Sequence, residues 1–401
     1  MLEPTRIERR SVPRLPVHAG PPGRALRLDR KAWLAAAKAG AWTPDRVVHL
    51  VGSLNETVFA YLRPATDALA KAGVEQSVVM IDEPRSLHLR EQLDSRVLVA
   101  VSSAEPGLLR RWKSSRDMFR RTLLARPPTA VHLHGLTAWM LGAGPALQAN
   151  PKVRLYYSPQ GATVPGWTRA LSAVLQGLSR VLHRKSGHRA ILVTNSPGAA
   201  VKAGKSNELE VIESPVHSIF PGTLVCPALR PLMVTSGHAR SLASALQFAQ
   251  MAILLGDEQL GLSFNWIGRA DAESKAVLNA AGVGVFDATD ESDRARHLAC
   301  GWIYLAGEVT PETCRQLVEA MALGLPCVAV DTPSARALIR NGATGFLCRD
   351  SVMIRYAIAD LIHSPELRRR IGSAAKRVAL ERFGEDRFRE SVLSAYASDS
   401  V

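Results

Sequence analysis

The order of apolar and polar positions divides this chain into short apolar runs separated by longer amphipathic stretches. "DRVVHLVG" at residues 45–52 is the first such run. "QSVVMID", "RVLVAV", "AVHLHG", "VRLYYSPQG" and "ILVTNS" follow it. Runs of this length, bounded by Gly, Pro, Asp or Ser, read as strands buried on both faces. Between them, "TVFAYLRPATDALAKAG" reads as a helix stopped by Gly73, with Pro64 interrupting its start. Residues 107–125 read as a basic helix. Strand and helix patterns in alternation predict a parallel sheet with helices on both faces.

The pattern ends at "VIESPVHSIFPG" and restarts at "PLMVTSG". A helix is expected over Ala239–Leu254, and strands at "LSFNWIG", "GVGVFD", "GWIYLAG" and "PCVAVD". "ETCRQLVEAMALG" reads as a helix, "ARALIRNG" as a short one and "ATGFLCRD" as a last strand or loop. The tail reads as two helices, the first capped by Ser364. The expected fold class is therefore α/β, with two doubly wound Rossmann-like domains facing across a cleft. Residues 1–44 read as a basic N-terminal arm, 45–220 as the first α/β domain and 221–385 as the second. Residues 386–401 read as a C-terminal helix crossing toward the first domain. Open parallel sheets bind ligands beyond the carboxyl ends of their strands, so a cleft between two of them suits two substrates.

Composition adds three points. Of the 401 residues, 47% are hydrophobic and 21% charged, the balance of a folded chain and not a disordered one. No apolar run reaches the ~18 residues that a spanning helix needs, and residues 1–30 lack an apolar core of signal-peptide type. Five cysteines without metal-ligand spacing suit a reducing, cytoplasmic setting.

Charge is unevenly spread. Residues 1–200 carry 29 Lys and Arg against 13 Asp and Glu, while residues 201–401 carry 21 against 23. A basic half beside a near-neutral half points to an anionic surface as partner, either lipid or nucleic acid; solubility charge with a basic tail is the plainer alternative. "LLRRWKSSRDMFRRTLLAR" sets Arg110, Arg111, Lys113, Arg116, Arg120 and Arg121 among Trp112, Met118 and Phe119. "WTRALSAVLQGLSRVLHRKSGHR" places Leu171, Val174, Leu175, Leu178, Val181 and Leu182 on one helical face, with Arg180, Arg184 and Lys185 around it. Such helices lie on anionic bilayers or pack into a core with a charged outer face. No recognised nucleic-acid motif accompanies the charge, so nucleic acid is the less favoured partner.

The chemistry concentrates in "TPETCRQLVEAMALGLPCVAVDTPSARALIRNGATGFL", Thr310 to Leu347. Thr310 can cap a helix whose first turn holds Pro311 and Glu312. The N–H groups of Thr313 and Cys314 would then face outward at the positive helix end, a ready phosphate site. Glu312 and Glu319 stand seven residues apart, about two turns along one face. Glu319 can accept hydrogen bonds from a ribose or sugar hydroxyl, or both glutamates can be ordinary helix residues.

These residues resemble the donor-sugar motif of the retaining nucleotide-sugar glycosyltransferases of family 4, which have the GT-B fold. Glu319-Ala320-Met321-Ala322 and Gly324-Leu325-Pro326 match its "E-A-M-A-x-G-x-P" core. "ALIRNGATGFL" matches the next segment through Gly342 and Gly345. His134 in "VHLHG" is similar to a first-domain histidine of that family. The chain departs from the family at three places. Glu312 stands one residue late for the first glutamate of the motif. "VTSGHARSLASAL" offers Gly237 and Arg240 but lacks the phosphate-binding lysine. "YYSPQG" carries Gln160 where many relatives have histidine.

The resemblance implies transfer of a sugar from a nucleotide-sugar donor, without cofactor or metal. The acceptor it implies is a saccharide or polyprenyl-diphosphate-linked saccharide in bacterial polysaccharide or exopolysaccharide biosynthesis. Glu312, His134 and Gln160 are the expected catalytic residues. Glu319, Arg240, Gly237, Thr313, Cys314 and Arg269 are expected on the donor. A cytoplasmic protein docked on the inner face of a membrane fits these features. The alternative is a catalytically degenerate GT-B protein that binds glycans or a partner enzyme.

Overall fold

The computed structural model of the protein describes residues 42–52, 56–81, 92–102, 107–158, 190–194, 209–237, 242–256, 260–288, 290–310 and 313–397. The basic arm up to residue 41 and the amphipathic stretch 167–189 lie outside them.

The first sheet holds β1 (Arg46–Val51), β2 (Glu75–Ile81), β3 (Val97–Ser102), β4 (Ala130–His134) and β5 (Arg154–Ser158), in the order β3-β2-β1-β4-β5. Every pairing in it is parallel. Helices α1 (Glu56–Lys71), α2 (Leu108–Ala125) and α3 (Leu136–Ala149) make the crossovers. β1 and β4 are buried along their whole length, which explains their near-continuous apolar runs. One face of the sheet packs Val48, Leu50 and Leu133 against Phe119 and Leu123 of α2. Val47 and Ala130 pack with Tyr61, Ala65 and Leu69 of α1 on the other.

Pro64 does not interrupt α1, contrary to the sequence expectation; it lies inside the helix. The surrounding residues Tyr61, Leu62, Ala65, Ala68 and Leu69 are all buried. Their packing outweighs the one hydrogen bond that proline removes.

β6 (Ala190–Thr194) and β7 (Leu209–Glu213) form a separate parallel pair, followed by the short α4 (Ile219–Gly222). The second sheet holds β8 (Leu232–Ser236), β9 (Ser263–Ile267), β10 (Val283–Phe286), β11 (Ile303–Ala306), β12 (Cys327–Val330) and β13 (Phe346–Cys348). Its order is β10-β9-β8-β11-β12-β13, again parallel throughout. Its helices are α5 (Leu242–Leu255), α6 (Ala272–Ala280), α7 (Glu291–Leu298), α8 (Cys314–Leu323), α9 (Pro333–Arg336), α10 (Ser351–His363), α11 (Pro365–Phe383) and α12 (Glu385–Tyr396). Leu298, Leu317, Ala375 and Phe383 bring α7, α8 and α11 onto one face. Phe248, Leu278 and Ile358 bring α5, α6 and α10 onto the other.

Local chemistry sets several of these boundaries. Asp271, Asp290 and Asp350 each accept a hydrogen bond from the backbone N–H three residues on, at 2.8 Å, and Ser364 does so at 3.2 Å. Gly324, at φ 92°, ends α8 in the left-handed conformation that a side chain resists. The sequence pattern assigns no element to residues 351–363, where α10 lies; its first three residues and Tyr356 face solvent. That exposure blurs its apolar stripe.

The last helix leaves the second sheet. Phe388, Val392, Leu393 and Tyr396 of α12 are buried among Val47, Tyr61, Ala65, Leu69 and Tyr156 around the first sheet. Arg382 clasps Glu213 at the end of β7, with Nε to Oε2 at 2.7 Å. The Val216 N–H donates to the Phe383 carbonyl at 2.8 Å.

Candidate active site

Both sheets reverse their strand order once, between β1 and β4 in the first and between β8 and β11 in the second. Parallel strands place all their carboxyl ends at one edge, and the reversal opens a crevice there. Gly237 follows β8, and residues 307–313 lead from β11 into α8. Gly237 and the loop that enters α8 therefore lie at the carboxyl edge of the second sheet.

Gly237 and the turn after β9 meet at this edge. The Gly237 N–H donates to the Ile267 carbonyl at 3.1 Å, and the Gly268 N–H to Phe286 at 2.9 Å. Gly268 has φ 133°, and a Cβ placed on it would stand 2.0 Å from the Gly237 carbonyl oxygen. Arg269, next in the chain, is exposed. Gly268→Ala is expected to push the Gly237 turn away from β9 and to cost about 1–3 kcal/mol of stability. Urea unfolding measures this; a midpoint unchanged from the parent would show that the two turns do not press on each other.

The entry to α8 differs from the sequence expectation. The N–H groups of Thr313 and Cys314 both donate to the Thr310 carbonyl, at 3.1 and 3.0 Å, and are not free for an anion. Cys314 is fully buried. Thr310 does not cap the helix with its side chain; its own N–H donates to Thr313 Oγ1 at 2.8 Å. The turn closes on itself because Thr313, not Pro311, stands at the helix boundary, and the helix begins only at Cys314. Pro311, Glu312, Arg240 and Gln160 lie outside the described residues.

Glu319 lies on the inner side of α8, 1% exposed. Arg294 of α7 grips it with two bonds, Nε to Oε2 at 2.8 Å and Nη2 to Oε1 at 3.0 Å. Arg315, one turn earlier on α8, adds Nε to Oε1 at 3.0 Å and reaches Glu291 Oε1 at 3.1 Å through Nη2. Two arginines and two glutamates thus form one compact cluster. The bidentate fork fixes the plane of the Glu319 carboxylate. Arg315 could have been found from its i,i+4 spacing to Glu319. Arg294 could not, because the pairing depends on how α7 packs against α8.

On the first sheet, His134 ends β4 and is 1% exposed. Its Nε2 lies 3.1 Å from His49 Nδ1. His132 Nε2 meets Ser158 Oγ at 2.8 Å, and its Nδ1 pairs with the Tyr396 hydroxyl of α12. Burial holds all three imidazoles below the usual histidine range, His49 at about 4. In this structure His134 is a core residue and does not open onto solvent.

The basic helix α2 presents Arg110, Arg111, Lys113, Arg116, Arg120 and Arg121 outward. Phe119 is fully buried and Trp112 half-buried, so the face is cationic without the aromatic component that the sequence suggested. The hydrophobic period of the helix turns Phe119 inward, beside Leu123. No described helix is long and apolar enough to cross a membrane.

Comparison with known proteins agrees with this geometry. Residues 272–378 match the family described as "Glycosyl transferases group 1". A Bacillus subtilis (strain 168) protein named "Putative glycosyltransferase EpsD" is 37% identical over 84 residues, 20% of this chain and 22% of that protein's length. The matched region thus spans about a fifth of that relative. Among solved structures, a glycosyltransferase from Rickettsia africae ESF-5 superposes with a TM-score of 0.71 at 14% identity, over 88% of this chain and 98% of its own. Anabaena Alr3699/HepE, in complex with UDP and glucose, gives 0.64 at 18% identity, over 88% and 99%. Staphylococcus aureus TarM, in complex with Fondaparinux, alpha-GlcNAc-glycerol and UDP, gives 0.62 at 9%, over 88% and 100%. The two facing parallel sheets are thus those of a GT-B fold, and the second of them carries the stretch that matches the group 1 glycosyl transferases.

Proposed function

We propose that the protein is a retaining glycosyltransferase that moves a sugar from a nucleotide-sugar donor to a saccharide or lipid-linked saccharide. The observation that carries this reading is the group 1 match over residues 272–378, which takes in the Glu319 motif. Similar folds crystallised with UDP support a nucleotide donor. The donor would lie at the crevice edge between Gly237 and the turn before α8, near Arg269 and Glu319. Arg240 and Glu312 are proposed on its diphosphate and sugar, and Gln160 on the acceptor side; His134, buried in the core of the first sheet, does not reach an acceptor. With these groups, catalysis is electrostatic: fixed charges stabilise the diphosphate as it leaves and the positive charge that builds on the sugar. The departing phosphate can take the acceptor's proton, so the scheme needs no enzymic base of its own and no metal.

The likeness to a Bacillus subtilis glycosyltransferase is in keeping with a bacterial setting, and a hexosyl donor with a place in exopolysaccharide synthesis is proposed with it. The outward cations of α2 favour attachment to the inner face of a cell membrane, where polyprenyl-linked acceptors reside.

Titration calorimetry with UDP-, GDP- and ADP-sugars tests the donor, and a transfer assay tests the reaction. Glu312→Gln is expected to lower turnover more than donor affinity, since its help rises as charge develops on the sugar. Normal transfer by that variant would remove Glu312 from the mechanism. A parent chain that binds none of the panel would favour the second reading, a degenerate GT-B protein that binds glycans or a partner. One observation supports that second reading: the Glu319 carboxylate already accepts three N–H bonds from Arg294 and Arg315.

A further inference from the structure

We propose that His49, His132 and His134 form a three-imidazole site for a zinc-class divalent transition metal, buried in the first domain beneath the C-terminal helix. His132 and His134 are two residues apart on β4 and so share one face of the strand. His49 lies directly opposite His132 in the pairing of β1 with β4. Two histidines at i and i+2 on one strand, with a third from the neighbouring strand, can converge on a single ion. Here one ring nitrogen from each of the three lies within 4.8 Å of the other two.

The hydrogen-bond inventory of the cluster is incomplete. All three rings are 1% exposed or less. His49 Nδ1 and His134 Nε2 face each other at 3.1 Å, and Gln76 is a further partner of His49, yet His134 Nδ1 has no hydrogen-bond partner. Buried polar atoms in folded proteins are paired almost without exception, so an open ring nitrogen inside a three-histidine cluster calls for a partner. A water could serve it, but a metal ion takes lone pairs from several imidazoles at once.

The surroundings select the class of ion. Among the described residues, the other titratable side chains in ring contact with the cluster are tyrosines: Tyr61, Tyr156 and Tyr396. With no carboxylate among these contacts, calcium and magnesium lack the oxygen ligands they require, whereas imidazole suits zinc, cobalt, nickel and copper. The Tyr61 ring packs 5.8 Å from that of His134, and its buried hydroxyl has Ser158 as a neighbour. It is the candidate fourth ligand. His132 can give Nε2 to the ion in exchange for its bond to Ser158 Oγ, while Nδ1 keeps the Tyr396 hydroxyl, the outer-shell bond that orients metal-binding histidines. Through that bond the site is joined to α12. A bound ion would therefore tie the C-terminal helix to the first sheet, a structural role independent of the proposed sugar transfer.

The full chain, stripped with a chelator and then titrated with Zn²⁺ or Co²⁺ alone, tests the site. The expected result is about one tightly bound ion per chain and a rise in melting temperature on binding. The Co²⁺ form is expected to show the intense visible bands of four-coordinate ligation. His49→Gln and His134→Gln should each weaken binding by at least about a hundredfold, while His363→Gln, on the exposed end of α10, should bind as the parent does. If either cluster variant fails to fold, the parent's cobalt spectrum decides. Absence of stoichiometric binding, a weak octahedral spectrum, or binding that survives in the cluster variants would overturn the proposal and leave a neutral histidine core.

Discussion

Glu319→Gln is expected to destabilise the second domain by about 3–5 kcal/mol, the range for removing one partner of a buried ion pair. The side chain of Glu319 is 2% exposed, against 15% for Arg294 and 23% for Arg315. The amide keeps the shape of the carboxylate but removes the charge that both guanidinium groups face. Arg315 retains Glu291, which softens the loss on that side. Arg294 also approaches Glu291, at 4.0 Å. A double-mutant cycle with Arg294→Ala separates the pair from everything else Glu319 does: the coupling should exceed about 1.5 kcal/mol. Donor titration on the same variants separates stability from recognition. A Glu319→Gln protein that unfolds within about 0.5 kcal/mol of the parent would show that the cluster is not a stabilising one. Weakened donor binding at unchanged stability would instead point to the ribose as the main partner of Glu319.

Phe388→Ala is expected to cost about 3–5 kcal/mol, the range for truncating a buried phenylalanine. Phe388 is 3% exposed and meets the edge of the Tyr61 ring at 5.7 Å between centroids. Its helix is polar on the outside, with Glu385, Asp386, Arg387 and Arg389. Nearly all the energy holding it must therefore come from Phe388, Val392, Leu393 and Tyr396. The cavity left by alanine is walled by β1 and α1, which are pinned in the sheet and relax little. Denaturant unfolding measures the loss, and hydrogen exchange locates it. Protection should fall first in α12 and in Tyr61–Leu69 of α1. Loss confined to the second domain would contradict the packing of α12 on the first. Ending the chain before Glu385 should expose this apolar face and lower solubility.

The two predictions differ in how far the sequence foresaw them. The apolar runs of β1, β4, β8 and β11 were legible because parallel strands are buried on both faces and tolerate few polar residues. Gly324 and Ser364 were legible because a left-handed stop and a hydroxyl cap are demands of the backbone itself. Glu319 stood out by its motif.

Other expectations failed where packing overrode local preference. Pro64 stayed within α1 because five buried neighbours hold that helix in place. Phe119 turned inward although the arginines around it suggested a surface. The donors of Thr313 and Cys314 closed on the Thr310 carbonyl and so are not left open at the start of α8.

By itself, then, the sequence determined the alternation of strand and helix, the restart that makes two sheets, and most helix caps. Each of these follows from a few neighbouring residues and the period of the backbone. The tertiary structure alone decided that Arg294 holds Glu319, that three histidines from two strands gather in one dry place, and that Tyr396 reaches His132 across 264 positions of chain. Those contacts depend on strand order and on the docking of α12. No local spacing records either, because the energy that sets them is apolar burial summed over whole helices and not the preference of any one residue.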